Sequence, residues 1–157
     1  VAHLLHAPEA TRAGIRAGLE VAGRLKLHGF VQEVADHVRH EDPEVRAAAL
    51  RALARMAYVP PAAEGAVLEA TRDPVEFVRV NASRAARHLP PGGALPALWE
   101  RLADPSWWVR RAAAESMASM GAAGAAELRR AAREHPDRYG RDMAAQVLRD
   151  AGLEEVA

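Results

Sequence analysis

Histidines and carboxylates lie close together at one point of the chain, where they could supply part of a metal site. His37 and His40 are three residues apart, and Glu33 and Glu41 each lie four residues from His37. On a helix these spacings put imidazole and carboxylate groups on one face, and both are ligand types that zinc accepts. No further ligand pair recurs at matching positions. The pattern therefore predicts neither a metal site nor a catalytic centre.

Other residue types that support catalysis are missing from the sequence. His3 and His6 form a second pair three residues apart. The chain has no cysteine, which excludes disulfides, thiolate metal ligands and cysteine nucleophiles. It also has no glycine-rich phosphate loop and no pattern indicating a Ser/His/Asp triad. We therefore predict a non-enzymatic protein without a cofactor.

Arginine and aromatic side chains recur in two columns. The arginines follow a valine, or a glycine in the last copy, and could form a track for anions. The aromatic residues stand directly before that valine or glycine, 31 residues apart. The two columns are Arg46, Arg79, Arg110 and Arg141, and Phe77, Trp108 and Tyr139.

The aromatic column has two interpretations. The favoured one is that the rings pack between repeats at a turn. In the alternative they form an exposed stripe, with Trp107 beside it, that anchors a peptide, because Trp and Tyr dominate binding hot spots. Burial of the rings distinguishes the two.

A fixed period underlies both columns. Four prolines stand 31 residues apart, and the first three follow an aspartate: Pro43, Pro74, Pro105 and Pro136. Self-similarity at a period of this length is typical of a solenoid, in which one helical unit stacks on copies of itself. After each proline, apolar residues recur at positions zero, four, eight and eleven, as one face of a helix requires.

Helix boundaries follow from the same period. Asp42, Asp73 and Asp104 are expected to cap these helices, each with its proline at the first helical position. Gly121 and Gly152 are expected to end two of them in a left-handed conformation. Pro90-Pro91-Gly92 is interpreted as a turn between repeats. A preceding helix in each unit is predicted over residues 30–41, 62–72, 94–103 and 123–134.

Composition is consistent with a stack of short helices. Half of the residues are hydrophobic, aromatic residues make up only 4%, and the formal net charge is zero. A neutral chain has no overall field to attract nucleic acid or an anionic membrane. No apolar stretch approaches the roughly 20 residues that span a bilayer. We expect a cytoplasmic protein, or one on the cytoplasmic side of a membrane if a longer chain is anchored there.

The motif Asp-Pro, a few residues, Val-Arg, two residues and Ala resembles the HEAT repeat. Its 31-residue period looks like the bacterial HEAT-like repeats first described in phycobilisome lyases. The resemblance implies an all-α solenoid of about five helical hairpins over one domain, 1–157, cut from a longer chain. The expected units are 1–29, 30–59, 60–91, 92–122 and 123–157. In that family the repeated arginine usually pairs with an aspartate of the neighbouring unit, which favours a structural role over an anion track.

The resemblance also implies that part of each second helix lines a concave face. That face would be basic near the N-terminus and mildly acidic near the C-terminus, with the arginines Arg51, Arg55, Arg84 and Arg87. We expect a scaffold or adaptor that binds a partner protein or peptide on the concave face or at the aromatic turns. Nucleic-acid binding through the arginines is the alternative, although the neutral charge opposes it. A bilin lyase or chaperone subunit is a further alternative, based on repeat length alone.

Overall fold

The computed structural model describes residues 11–154 together with Val1, His3 and Leu5. Within that part of the chain the regular structure is helical and contains no strand. The helices are α1 (Arg12–Arg24), α2 (Val31–Asp36), α3 (Pro43–Met56), α4 (Glu64–Ala70), α5 (Glu76–Ala86), α6 (Pro91–Arg101), α7 (Trp107–Ala118), α8 (Gly121–Glu134) and α9 (Arg138–Ala151). Short 3-10 turns flank α2 at His28–Phe30 and His37–Arg39 and precede α4 at Pro61–Ala63.

The helices form two layers of a curved stack. We call α2, α4, α6 and α8 the first helices, and α1, α3, α5, α7 and α9 the second helices. Neighbouring second helices pack closely along the described array, whereas neighbouring first helices contact each other much less. The array therefore curves with the second helices on its concave side. This arrangement is an α-solenoid, as predicted.

The predicted apolar face of the second helices forms the core. Val45, Val78 and Val109 are fully buried, as are most residues four, eight and eleven positions after them. Small residues let the helices approach closely. A Cβ atom on Gly23 would lie 2.7 Å from the Cα atom of Ala52, so α1 meets α3 nearly backbone to backbone. Small residues such as Ala52 therefore allow the helices to stack closely, in addition to favouring helix formation.

Two first helices begin earlier than predicted. Helix α6 begins at Pro91 rather than residue 94, with Pro90 at its N-cap, so the predicted turn Pro90-Pro91-Gly92 is wrong beyond its first residue. Proline suits this first helical position because its missing N–H needs no partner there. Helix α8 begins at Gly121 rather than residue 123. The first helix predicted over 30–41 is α2 with its two 3-10 turns.

The turns before the second helices are not all in the register that the prolines suggest. Asp42 caps α3 and Pro43 is its first residue, as predicted. Helices α5 and α7 instead begin two residues after Pro74 and Pro105, with Val75 and Ser106 at their N-caps. The prediction that Asp73 and Asp104 cap these helices is therefore wrong, because Pro74 and Pro105 lie within the turn, two residues before the position that Pro43 occupies.

Asp73 and Asp104 organise the turn in another way. Each carboxylate accepts a hydrogen bond from the backbone N–H two residues ahead, at 2.9 Å and 3.0 Å. In the other two turns the same bond is made to Nδ1 of His40 and of His135, at 3.0 Å and 3.2 Å. Structurally equivalent turns therefore start at His40, Asp73, Asp104 and His135.

Left-handed backbone occurs at both predicted glycines and, among the described residues, also at Lys26 and Ala57. Gly152 is the C-cap of α9, whereas Gly121 is the first residue of α8, two residues past the C-cap of α7. Gly121 and Gly152 have φ angles of +67° and +65°. Ala57, which ends α3, has a φ of +55° although it carries a side chain. An L-residue in this region is strained by about 1–2 kcal/mol.

Candidate interaction surfaces

Buried ion pairs link successive turns along the stack. The guanidinium of Arg46 donates two hydrogen bonds to Asp73, from Nε at 2.8 Å and from Nη2 at 3.1 Å. Arg79 binds Asp104 with the same geometry and the same two distances. The Asp104 side chain is only 2% exposed. These two ion pairs confirm that Arg46 and Arg79 have the structural role predicted for the arginine column.

The third nitrogen of each arginine holds the turn before its own helix. In every copy Nη1 donates to the carbonyl oxygens of the first two turn residues. For Arg110 these acceptors are Asp104 at 2.8 Å and Pro105 at 3.1 Å. Each arginine thus satisfies backbone carbonyls that the turn leaves outside any helix.

We call this series of arginine–aspartate pairs the ion-pair ladder. It changes at both ends because histidine replaces aspartate in the first and last of the four turns, at His40 and His135. At the N-terminal end Arg12 pairs instead with the neighbouring carboxylates of Glu41 and Asp42, at 2.9 Å and 3.6 Å. At the C-terminal end Arg110 has no carboxylate partner in the described structure, and its buried Nε has no hydrogen-bond partner. Within the described structure Arg110 and Arg141 therefore lack the carboxylate that Arg46 and Arg79 hold, and of these two only Arg110 has a buried Nε without a partner.

His135 occupies its turn as a neutral ring. Its Nε2 lies 3.1 Å from the carbonyl oxygen of Trp99, which can only accept, so Nε2 carries the proton. Its Nδ1 accepts from the backbone N–H of Asp137. The ring is buried and lies 4.9 Å from the ring of Trp99. A neutral ring with both nitrogens bonded in this way offers Arg110 no charge.

The aromatic column is exposed, so the favoured interpretation that it packs between repeats is wrong. The side chains lie at the first residues of α5, α7 and α9, and their exposed fractions are Phe77 40%, Trp107 43%, Trp108 62% and Tyr139 64%. Trp107 and Trp108 contact each other edge to face at 4.8 Å. The ring of Tyr139 lies over the guanidinium of Arg110, 5.3 Å from its Cζ. We call Phe77, Trp107, Trp108 and Tyr139 the aromatic edge.

The predicted arginine cluster on the concave face separates into two parts. Arg51 and Arg55 on α3 share the carboxylate of Glu20 on α1, at 3.8 Å and 2.6 Å. The hydrogen bond from Arg55 is the main reason that the pKa of Glu20 is lowered. Both arginines therefore have an intramolecular carboxylate partner, although they share its single negative charge.

Arg84 and Arg87 on α5 form the other part and have no ion pair in the described structure. Arg87 donates from Nε to the carbonyl oxygen of Arg84. Burial lowers the pKa of the Arg87 guanidinium, and the charge of Arg84 lowers it further. His88 follows directly, and its pKa is lowered by burial and by Arg87. We call Arg84, Arg87 and His88 the central basic site.

On the next helices of the concave face one arginine is paired with two carboxylates, so this part of the face keeps a net negative charge. Arg111 donates to Glu115 at 2.6 Å and to Asp150 at 2.9 Å. These contacts raise the pKa of Arg111, with the bond to Glu115 the largest cause. A recess of about 350 Å³ lies beside them, between α7 and α9. A similar recess of about 360 Å³ lies between α1 and α3, and neither recess is lined by the central basic site itself.

A larger cleft of about 850 Å³ lies between the turn preceding α3 and helix α4. The charged side chains that line this cleft already have ion-pair partners within the protein. Arg39 donates to Glu69, Arg72 to Glu100, and the rung Arg46–Asp73 lies in the same wall. The cleft therefore offers little uncompensated charge to a ligand.

Comparison with known proteins identifies the repeat. A family model described as HEAT repeats matches residues 31–118 and 65–149. The chain belongs to the HEAT-repeat family. No curated protein sequence matches it.

Solved structures resemble this HEAT-repeat chain along nearly its whole length. A designed armadillo repeat protein in complex with the peptide (KR)4 shares 17% identity at a TM-score of 0.62, covering 96% of this chain and 86% of the other. Two engineered proteins each share 20% identity at a TM-score of 0.60. One comparison covers 95% of this chain and 82% of the other, and the second covers 96% and 86%. At these identities the likeness concerns the fold.

The histidines of the HEAT array have structural contacts. His37 and His40 lie with ring centroids 5.9 Å apart, and Nδ1 of His40 accepts from the backbone of Asp42. Among the described residues no group of three histidines, aspartates or glutamates is placed to hold a metal ion. His6 lies outside the described residues, so the pair it forms with His3 is not placed. No described helix is long and apolar enough to cross a membrane.

Two functional features escaped the sequence interpretation. Glu20 neutralises Arg51 and Arg55, but it lies in the least regular copy, where the period gives no signal. His135 interrupts the series of arginine–aspartate pairs, and the sequence does contain a signal for this change. The histidine stands 31 residues after Asp104 and is followed at the fifth position by Gly140, where the two preceding copies have valine.

Proposed function

We propose that this HEAT-repeat chain is a non-enzymatic interaction module that holds an acidic segment of a partner protein along its concave face. The observation that supports this most is the central basic site. Among the described residues Arg84 and Arg87 have no ion pair, whereas Arg51, Arg55 and Arg111 on the neighbouring helices each contact a carboxylate. Leaving like charges side by side raises the free energy of the folded protein, and an anionic partner offsets that cost.

The shape of the face fits an extended or helical segment. The recesses between α1 and α3 and between α7 and α9 lie on either side of α5. The structurally similar designed armadillo protein was solved with the basic peptide (KR)4. In the present chain the arginines without an ion pair lie on and next to α5, so the complementary segment is acidic where it crosses α5.

Nucleic acid fits this surface less well than an acidic peptide. Arg51 and Arg55, half of the predicted cluster, already share Glu20. Phosphate binding gains from many neutralised contacts, and two free arginines supply few. Function as a bilin lyase or chaperone subunit still depends on repeat length alone. Membership of the bacterial short-repeat type and a cytoplasmic location also remain predictions.

The test is selection of a random twelve-residue peptide library on the purified protein, followed by fluorescence anisotropy with the enriched peptides. We expect the enriched sequences to be acidic. Arg84→Glu combined with Arg87→Glu should weaken binding about tenfold or more, because attraction becomes repulsion. Arg138→Glu, an exposed charge reversal at the start of α9, is the matched control and should leave affinity unchanged.

Two outcomes contradict the proposal. Enrichment of sequences without net negative charge would show that the central basic site does not select the partner. Equal loss of affinity in the Arg138→Glu control would show a nonspecific charge effect. A labelled DNA duplex at low salt, where phosphate contacts are strongest, is the competing ligand. If it binds more tightly than the best acidic peptide, nucleic-acid binding replaces the proposal.

A further inference from the structure

We infer that the aromatic edge around Arg110 is a second binding surface, which takes an aspartate or glutamate side chain of a partner protein that is flanked by apolar residues. This surface lies at the turn-side ends of α7 and α9, apart from the concave face. It therefore goes beyond the proposed function and does not depend on it.

Arg110 has unused hydrogen-bonding capacity. Its Nη1 donates to the carbonyls of Asp104 and Pro105, as in every copy. Its Nε is buried without a partner, and within the described structure Nη2 has none either. A guanidinium has five donors in a planar fork, and the fork edge formed by Nε and Nη2 matches a carboxylate. Leaving a buried donor unpaired is unfavourable, so this edge favours an anion.

The array itself shows what this edge binds. In Arg46 and Arg79 the same two nitrogens each hold one oxygen of an aspartate at 2.8 Å and 3.1 Å. His135 replaces that aspartate and bonds to Trp99 instead. A carboxylate that binds Arg110 in the same way therefore has to come from another molecule. Among residues 11–154 no carboxylate of the protein itself pairs with Arg110.

The walls of the site are apolar and accessible. The Tyr139 ring lies over the guanidinium and is largely exposed, so it can move aside as an acid approaches. Trp107 precedes Arg110 by three residues on α7, which places both on the same face of that helix. Trp108 contacts Trp107 and extends the apolar surface. Exposed Trp and Tyr around a cation provide the apolar anchor and the charge of a binding hot spot.

Side-chain NMR tests the inference with three short peptides. The probe is the tripeptide phenylalanine–aspartate–phenylalanine, acetylated and amidated. The first control has asparagine in the middle. The second has asparagine in the middle and a free C-terminal carboxylate. We expect the aspartate peptide to shift the Arg110 Nε–Hε signal and the indole N–H signals of Trp107 and Trp108. The Nε–Hε signal of Arg79, whose rung is occupied, should stay in place.

The expected contrast is an affinity for the aspartate peptide about tenfold or more above that for the asparagine peptide, as the loss of a charge-assisted bond predicts. Equal affinities would overturn the inference. Tighter binding of the peptide with the free C-terminus would overturn the assignment to a side-chain acid.

Two variants separate this site from nonspecific binding. Trp107→Ala removes an exposed ring and should weaken binding without disturbing the fold. His135→Asp combined with Gly140→Val supplies the missing internal carboxylate and should abolish the shift at Arg110, provided that circular dichroism shows a folded protein. Unchanged binding in Trp107→Ala, or in the folded double variant, would contradict the inference.

Discussion

A Cβ atom on Gly140 would lie 2.6 Å from Nδ1 of His135, so the buried ring of His135 leaves no room for a side chain at this position of α9. The two aspartate turns have valine at the equivalent position, Val78 after Asp73 and Val109 after Asp104. The half-buried His40 is likewise followed by valine, Val45, so it is the buried position of the His135 ring that excludes a side chain. Relative to the aspartate turns, the last copy exchanges both residues together. Its larger buried ring occupies space that valine fills elsewhere, and the exchange leaves Arg110 without its acid.

The first prediction concerns this pair. Gly140→Val alone should destabilise the protein by about 1–3 kcal/mol, because the side chain overpacks a buried site beside His135 and the carbonyl of Leu102. Adding His135→Asp should recover at least about 1 kcal/mol, since it removes the clash with the imidazole ring, although not the one with the Leu102 carbonyl, and gives Arg110 a carboxylate. Urea unfolding of the wild type, both single variants and the double variant measures the coupling. Simple additivity of the two changes would refute this account.

The second prediction concerns the ion-pair ladder. Asp104→Ala should destabilise the fold by about 3 kcal/mol, because it leaves Arg79 partly buried without its partner. Glu69→Ala breaks an exposed pair with Arg39 and should cost less than about 1 kcal/mol. Thermal unfolding of both variants makes the comparison. Similar losses would mean that burial does not distinguish the ladder from the surface pairs.

The third prediction concerns the end of α3. Ala57→Gly should stabilise the protein by up to about 1 kcal/mol, since glycine adopts a φ of +55° without a Cβ clash. Gly152→Ala is the reverse change at an equivalent left-handed position and should destabilise by a similar amount. Both positions are exposed, so altered packing does not complicate the result. A loss of stability in Ala57→Gly would contradict the conformational explanation.

The fourth prediction concerns pH. The pKa of His88 is lowered in the folded protein, first by burial and then by Arg87. Above the ordinary histidine pKa of about 6.5 the ring is neutral in both states. Below it the unfolded chain takes up the proton first, so stability falls as pH drops from about 6.5 through the lowered folded value. His88→Gln should flatten this part of the stability curve, whereas the exposed His28→Gln should not.

The fifth prediction links binding to stability at the central basic site. Arg84→Gln should leave stability unchanged or raise it by a few tenths of a kcal/mol, because it removes the repulsion that helps to lower the pKa of Arg87. The same variant should bind an acidic peptide more weakly. A marked loss of stability would indicate that Arg84 supports the fold instead.

Much of this architecture was predictable because it depends on local and periodic chemistry. The apolar spacing after each valine determined the second helices, and Gly121 and Gly152 marked left-handed positions. The period also indicated a stack held by arginine–aspartate pairs, two of which form as expected. Such features repeat with the chain and require no knowledge of distant contacts.

The tertiary structure decided the features that depend on how the copies meet. The 31-residue spacing of Pro43 and Pro74 concealed that these prolines occupy positions two residues apart in equivalent turns, which appears only when His40 is seen in the place of Asp73. Exposure of the aromatic edge depended on which side of each helix faces its neighbour. The tertiary structure also decided which arginines lack an ion pair, because Glu20 on α1 contacts Arg55 on α3. The sequence by itself thus determined a helical repeat array, whereas contacts between residues about 25 to 40 positions apart decided where it can bind a partner, because charge compensation and burial depend on such distant neighbours.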